Sequence, residues 1–268
     1  MLLIAIILGT LTAGIGSVWL AAALSFGVLA RYTQHMLSLA AGALLATAFM
    51  HLLPEAFESQ ASPHDMFAAL LVGLVFFFLL DKAELWHHGH EHGAGAAHEH
   101  HHPHDHNVAH AHGEASRSKS SGWTVLIGDS VHCFGDGILI ASAFMADMRL
   151  GVVASLAVLA HEVPHHMGDL VVLRQSTGNQ RVAIVKVSMA GSVTVLGGVL
   201  GYLLVDQLYG FLPFFLILAS SSFIYVALAD LIPQLQKRAS MRETASQVAW
   251  LLVGIGLVTL ISKMAHAH

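Results

Sequence analysis

Two segments of this chain carry metal-ligating side chains at helical spacing. The first reads Gly128-Asp129-Ser130-Val131-His132-Cys133-Phe134-Gly135-Asp136-Gly137. The second reads His161-Glu162-Val163-Pro164-His165-His166-Met167-Gly168-Asp169. On a helix turning about 100° per residue, Asp129, His132, Cys133 and Asp136 share an arc of about 100°. His161, Glu162, His165, His166 and Asp169 share an arc of about 140°. His132 and Asp136 form an i,i+4 pair, as do His161 and His165, so each pair stacks on one helix face. Two antiparallel helices with these faces together bring four N and O ligands to one point, a natural site for a divalent metal ion. Cys133 and Glu162 project beside it and can hold a second ion, with Asp136 or His165 bridging. His166, Asp169 and Asp129 widen the set. His51, Glu55 and Asp230 are weaker candidates, for which an access path and a helix contact are equally open. Pro164 cannot donate to the carbonyl of Ala160, so a backbone oxygen is freed beside the cluster.

Ionisable groups at membrane depth are costly and are functional candidates by default. A polar network that only holds helices together needs fewer groups than two aligned ligand pairs plus Glu162, Asp169, Asp129 and His166. A sharper rival exists. His161-Glu162-Val163-Pro164-His165 is an H-E-x-x-H pattern, in which two His bind zinc and the Glu acts as general base. An intramembrane zinc protease would use Asp136 as third ligand. Against it, a catalytic zinc keeps one coordination position open, and the second ligand pair would close it. No G-x-x-x-x-G-K-[ST] loop is present, which excludes a built-in ATP-driven pump. The chain reads as a non-enzyme with no cofactor.

The elements that must hold these segments follow from composition. The 268 residues are 55% hydrophobic and 11% charged, with a mean hydropathy of +0.66. A soluble domain carries about 25% charged residues. The net charge of −5 offers no basic surface for nucleic acid. About 20 apolar residues cross a bilayer, and eight stretches qualify: 1–24, 36–57, 65–84, 122–146, 150–173, 182–205, 211–232 and 245–264. The first lacks a basic leader and reads as a span rather than a signal peptide. The expected fold is all-α and polytopic, with eight transmembrane helices. Residues 1–84 hold spans one to three, 85–121 a loop, 122–173 the two ligand-bearing spans, and 174–268 spans six to eight.

Lys and Arg divide unevenly between the two sides. Arg31, Lys82, Arg117, Lys119, Arg174, Arg181, Lys186, Lys237, Arg238 and Arg242 fall in odd-numbered loops, and only Arg149 and Lys263 fall opposite. This places the odd loops in the cytoplasm and both termini outside. A weak internal repeat relates His51-Leu52-Leu53-Pro54 in span two to Asp230-Leu231-Ile232-Pro233 in span seven. Each has a polar residue three before a proline, in spans that run oppositely, which suggests inverted repeats around a central pair. Two proline kinks matching by chance is the plainer alternative. The lone Cys133 has no internal disulfide partner.

The loop at 85–121 holds twelve of the chain's 21 histidines, from His87 to His112, among Gly, Ala and Ser. It lacks apolar periodicity and is expected to be disordered. Imidazole favours zinc, copper, nickel and iron, so the loop reads as a weak cytoplasmic metal collector; a linker grown by repeat expansion is the alternative. It points to a class of ion and not to a direction of movement.

These residues together resemble the ZIP family of zinc and iron transporters over all eight spans. His161-Glu162-x-Pro164-His165-His166-x-Gly168-Asp169 resembles the fifth-span signature of its His-rich subfamily. Gly128-Asp129 with His132-x-Phe134-x-Asp136-Gly137 resembles the fourth-span signature. His51-Leu52-Leu53-Pro54, and Tyr225-Val226-Ala227-Leu228 with Asp230 and Pro233, match as well, as does the His-rich loop. The resemblance implies a 3+2+3 inverted-repeat arrangement in a cell membrane, expected to be a bacterial inner membrane, with homodimers and metal moving toward the cytoplasm. Zn²⁺ is the implied substrate, with Fe²⁺, Mn²⁺ and Cd²⁺ as secondary ones. It implies a first metal position of His132, Asp136, His161 and His165, and a second to which Cys133 and Glu162 contribute. The family usually has Asn at Cys133, and a thiol is a softer ligand. Some members add a span-six carboxylate; Ser188 and Ser192 are the polar residues near that depth here.

Overall fold

The computed structural model describes residues 1–25, 33–89, 114–235 and 240–266. Among these residues the chain is helical throughout, with no strand. The helices are α1 (Leu2–Leu11), α2 (Ser17–Ser25), α3 (Thr33–Thr47), α4 (Leu53–Phe57), α5 (Pro63–Gly89), α6 (Glu114–Ala146), α7 (Met148–Thr177), α8 (Gln180–Gln207), α9 (Leu212–Tyr225), α10 (Ile232–Leu235) and α11 (Met241–His266). Turns of π-helix at Thr12–Gly16, Ala48–Leu52 and Val226–Leu231 join α1 to α2, α3 to α4 and α9 to α10. Among the described residues the result is eight rods at the eight expected positions.

Among the described residues, six rods are long and apolar enough to cross a membrane: Leu2–Leu24, Gln34–Phe57, Pro63–Leu80, Gln180–Gln207, Tyr209–Leu235 and Met241–Ser262. The other two, α6 and α7, have 33 and 30 residues. At about 1.5 Å per residue they also have the length to span, but their ligand clusters lower their hydropathy. Both expose an apolar back, as at Ile127, Val131, Val152 and Val171. Segment ends differ from expectation. α5 runs to Gly89 and α6 begins at Glu114, so both margins of the 85–121 loop are helical; Leu85 to His88 contain no Gly or Pro to stop α5. The run His90 to His112 lies outside the described residues.

The two outer groups of three correspond rod for rod. The buried share of the membrane-length window is 33% in the first rod and 39% in the sixth, 67% in the second and 61% in the seventh, and 11% in both the third and the eighth. Thus the second and seventh rods are interior and the third and eighth peripheral. The prolines deepen the match. Leu53 donates its N–H to the carbonyl of Ala48, and Ile232 to that of Ala227. Both are i→i−5 bonds, and each donor immediately precedes a proline, Pro54 or Pro233. A proline strips the helix of one donor, and a π turn absorbs the misfit. The same device stands at the same place in both groups.

Small residues let the rods close up, as in other membrane bundles. The α-hydrogens of Gly137 and Gly197 sit where a Cβ would strike backbone: Gly137 against Thr194 and Gly198, Gly197 against the carbonyl of Phe134. α6 is thereby locked along α8. The turn between α6 and α7 is a single residue, Asp147, whose carboxylate accepts from the N–H groups of Arg149 and Leu150 at 2.8 and 3.2 Å. This N-cap turns α7 back antiparallel to α6 and sets their ligand-bearing faces together.

Candidate metal centre

Four ligand atoms converge between α6 and α7. His132 Nε2 lies 3.2 Å from Glu162 Oε1, 3.4 Å from His161 Nε2 and 3.9 Å from Asp136 Oδ2. His161 Nε2 lies 3.3 Å from both Asp136 Oδ2 and Glu162 Oε1. A tetrahedral ion with bonds of about 2.0–2.1 Å requires ligand atoms about 3.3–3.4 Å apart. The side chains therefore already stand near the corners of such a polyhedron. Asp136, His161 and Glu162 are each at most 2% exposed, whereas the His132 side chain is 25% exposed and faces a cavity.

A second group lies directly behind. Glu162 Oε2 is 3.1 Å from His166 Nε2, which is 3.6 Å from Asp129 Oδ1, itself 3.6 Å from Cys133 Sγ. Asp129, Cys133, Glu162 and His166 can each give one atom to a common centre. Glu162 belongs to both groups, one oxygen to each. Both of its oxygens, His166 Nε2 and Asp129 Oδ2 are buried with no hydrogen-bond partner among the described residues. Leaving so many such atoms unsatisfied is expensive, and a cation shared by them removes the cost.

Helical spacing predicted the residues but not their grouping. His165 does not join His132, Asp136 and His161; Glu162 does. His165 lies one turn nearer the cavity mouth than His161, and its Nδ1 approaches Asp169 Oδ2 at 3.5 Å and Asp129 Oδ1 at 3.8 Å. Its ring stacks on that of His132, with centroids 5.4 Å apart. An i,i+4 pair is displaced along the axis by more than a turn, so two short imidazoles reach different points while the longer Glu162 reaches back. The residue common to both groups in this geometry is Glu162, whereas the expected bridge was Asp136 or His165.

Two contributors come from distant parts of the chain and carry no sequence signal of their own. Ser17, at the end of the first π turn, has its Oγ 2.9 Å from His166 Nδ1 and donates to the carbonyl of Gly14 at 2.5 Å. Thr194 of α8 hydrogen-bonds Cys133. The span-six residue that reaches the centre is thus Thr194; Ser192 is exposed and bonds back to the carbonyl of Met189.

A cavity of about 290 Å³ reaches the centre from one end of the bundle. Its walls include Leu37, Leu80, Asp129, His132, His161, Pro164, His165, Asp169, Asp230 and Gln234. Pro164 therefore stands on the cavity wall, and Asp230 lines it while accepting from Gln234 at 2.8 Å. His51 and Glu55 belong elsewhere. They line a second cavity, of about 680 Å³, at the opposite end with Glu58, Asp147, Arg149 and Ser262. Between the two cavities lies a plug of buried apolar residues, including Leu44, Ile140, Phe144, Ala157, Val158 and Ile217. Along both α6 and α7 the order is the same: ligand cluster, apolar plug, second cavity.

Such a fold and site define a polytopic helical membrane protein built around a buried His–carboxylate–thiol centre. Residues 83–262 match the family model described as ZIP Zinc transporter, and the chain belongs to this family. Zinc transporter ZIP10 of Danio rerio is 33% identical over 150 residues, 53% of this chain and 18% of that protein. Zinc transporter ZIP4 of Homo sapiens is 32% identical over 136 residues, 51% of this chain and 20% of that protein. Zinc transporter ZIP13 of Pongo abelii is 27% identical over 286 residues, 96% of this chain and 77% of that protein. The chain thus covers a small part of the first two relatives and most of the third.

Proposed function

We propose that the chain carries divalent transition metal, foremost Zn²⁺, across a cell membrane into the cytoplasm through a binuclear centre between α6 and α7. The observation that carries this reading is the near-tetrahedral spacing of His132, Asp136, His161 and Glu162 at membrane depth. Two imidazoles and two carboxylates suit Zn²⁺ and leave Fe²⁺, Mn²⁺ and Cd²⁺ as weaker substrates. The zinc transporters to which the chain is similar support zinc as the substrate.

Charge supports an orientation for the site. The cavity that reaches the centre lies at the end bearing the basic odd-numbered loops, and hence the cytoplasm by the positive-inside rule. The apolar plug shuts the centre off from the opposite vestibule of His51, Glu55 and Glu58. This is an inward-facing state. In the outward-facing state the central pair shifts against the outer rods, the plug parts and the ion arrives from the vestibule. Hydrated metal exchanges water for His and carboxylate ligands and displaces protons from them. The termini lie outside, and the His-rich loop receives ions at the cytoplasmic face.

The protease reading is disfavoured by the geometry. In H-E-x-x-H enzymes both His hold one zinc and the Glu stays free as base. Here His161 and His165 face different groups, and Glu162 sits among the ligands. The test is Zn²⁺ uptake into proteoliposomes by the wild type, His161→Ala and Asp136→Ala. The wild type should fill the vesicles and both variants should lose uptake. Absence of wild-type uptake, with cleavage of membrane peptides, overturns the reading.

A further inference from the structure

From Leu170 to Val205 the chain holds three cations, Arg174, Arg181 and Lys186, and no Asp or Glu, although its net charge is −5. Among the described residues, the other cations of the odd-numbered loops stand close to acids in sequence. Lys82 lies between Asp81 and Glu84, Arg117 and Lys119 follow Glu114, and Arg242 precedes Glu243. The turn that joins α7 to α8 gathers the three uncompensated cations. Gly178 takes φ +66° and ends α7. The Asn179 side chain accepts from the N–H groups of Arg181 and Val182 at 2.9 and 3.4 Å and starts α8. So tight a turn sets Arg174 and Arg181 across from each other, each about one helical turn from its tip. Both side chains are exposed, and neither has an ion-pair partner among the described residues. Toward the middle of the membrane the surface turns apolar. Val171, Val182, Val185 and Met189 are all exposed. Val171 stands three residues before Arg174, and Val185 and Met189 stand four and eight after Arg181, so they continue the cationic line along the same faces.

We propose that this turn binds an anionic phospholipid of the cytoplasmic leaflet, with the phosphate held by Arg174, Arg181 and Lys186 and the acyl chains lying along Val171, Val182, Val185 and Met189. The proposal rests on the orientation given above, which puts the fifth loop at the cytoplasmic face. Charge complementarity selects the occupant. Two guanidinium groups facing each other across a short turn repel, and an anion between them turns that repulsion into attraction. Guanidinium takes phosphate oxygens two at a time, in a geometry that a headgroup phosphate satisfies. Lys186 lies one turn deeper than Arg181, and its long stem lets the ammonium rise to the same level. The cytoplasmic leaflet carries the anionic lipids that such cations attract. A zwitterionic headgroup brings its own cation and gains less from the turn. Inorganic phosphate has no chains for the valines and Met189. The site therefore needs charge and hydrocarbon in one molecule. Its place gives it leverage. Arg174 follows His166 by eight residues on one unbroken helix, about 12 Å along the axis, so a bound headgroup anchors the end of the ligand-bearing helix to the membrane surface.

The full-length protein in detergent micelles is titrated with phosphatidylglycerol or phosphatidylcholine, and bound lipid is counted by native mass spectrometry. The wild type should bind phosphatidylglycerol about tenfold or more tighter than phosphatidylcholine. In Arg174→Gln/Arg181→Gln two cations are lost, each worth about fivefold toward an anionic lipid, so phosphatidylglycerol affinity should fall about thirtyfold. Binding of phosphatidylcholine should stay as in the wild type, which also shows that the variant is folded. Arg174→Lys/Arg181→Lys should keep most of the preference. Lys82→Gln/Arg242→Gln removes the same charge elsewhere on that end and should bind as the wild type does. Excess inorganic phosphate should leave the lipid in place. Equal affinity of the wild type for the two lipids overturns the proposal, as does wild-type phosphatidylglycerol binding by Arg174→Gln/Arg181→Gln. Full displacement by inorganic phosphate overturns it too, since the apolar strip then contributes nothing. The measurement needs no metal and no uptake, so failure of the transport reading, seen as no Zn²⁺ uptake by the wild type, is separate from failure of this one.

Discussion

Ser17 offers a stringent test of the proposed second metal group, because it touches that group through one nitrogen only. The Ser17 hydroxyl has a single hydrogen, and it points to the carbonyl of Gly14 at 2.5 Å. Toward His166 the oxygen must therefore accept, so Nδ1 carries the proton and donates across 2.9 Å. The other nitrogen, Nε2, is left with its lone pair aimed at Glu162 and Asp129, as a metal ligand requires. In Ser17→Ala this restraint disappears. The proton then moves to Nε2, where Glu162 Oε2 at 3.1 Å accepts it, and a metal must displace that bond before binding. Loss of such a supporting partner typically lowers metal affinity about 10–100-fold, or about 1.4–2.8 kcal/mol at about 1.4 kcal/mol per decade. Folding should suffer by only about 1 kcal/mol for the lost hydrogen bond. Co²⁺ titration provides the assay. Cys133 is the only cysteine in the chain, so thiolate-to-cobalt charge-transfer absorption reports on this group alone and ignores the histidine-rich loop. The midpoint should rise about 10–100-fold in Ser17→Ala and return in Ser17→Thr. A midpoint equal to that of the wild type would refute the tautomer argument.

Two other substitutions probe different parts of the design. Gly137→Ala drives a methyl into the backbone of Thr194 and Gly198, which cannot yield as a side chain would; overpacking of this kind costs about 1–3 kcal/mol, and a lowered thermal midpoint in detergent should record it. Cys133→Asn exchanges a soft ligand for a hard one, so competition uptake should show Cd²⁺ losing ground to Mn²⁺ relative to the wild type.

The chemistry was legible where it depended on residue type and local spacing. His132 with Asp136, and His161 with Glu162 inside an otherwise apolar stretch, mark a candidate cation centre by residue type and spacing alone. The eight rods follow from apolar run length, although α6 and α7 are less apolar than the rest because the centre itself displaces apolar residues. What spacing could not resolve is how far each side chain reaches. Equal angles around a helix put His165 beside His161, but the rise along the axis sends it to Asp169 and leaves the longer Glu162 to complete the first group. Ser17 and Thr194 were not legible, since nothing in their own neighbourhoods distinguishes them. Their roles arise from tertiary packing across 149 and 61 residues of chain. The π turns were half legible: Pro54 and Pro233 mark a break, but not that the helix absorbs it by widening one turn.

The apolar plug also has an electrical consequence. With a polar cavity on either side, the membrane voltage does not fall evenly across the bundle; it is concentrated over the short stretch between Ile140 and Val158 on one side and the second cavity on the other. An elementary charge crossing the full drop gains or loses about 2.3 kcal/mol per 100 mV, so a bare divalent ion is subject to about 4.6 kcal/mol. On the proposed path, nearly all of that work falls at the plug, and little at the ligand groups beyond it. On the proposed import reading, a negative interior acts on the arrival of the ion at His132 and Asp136, while its departure through the first cavity proceeds almost free of the field.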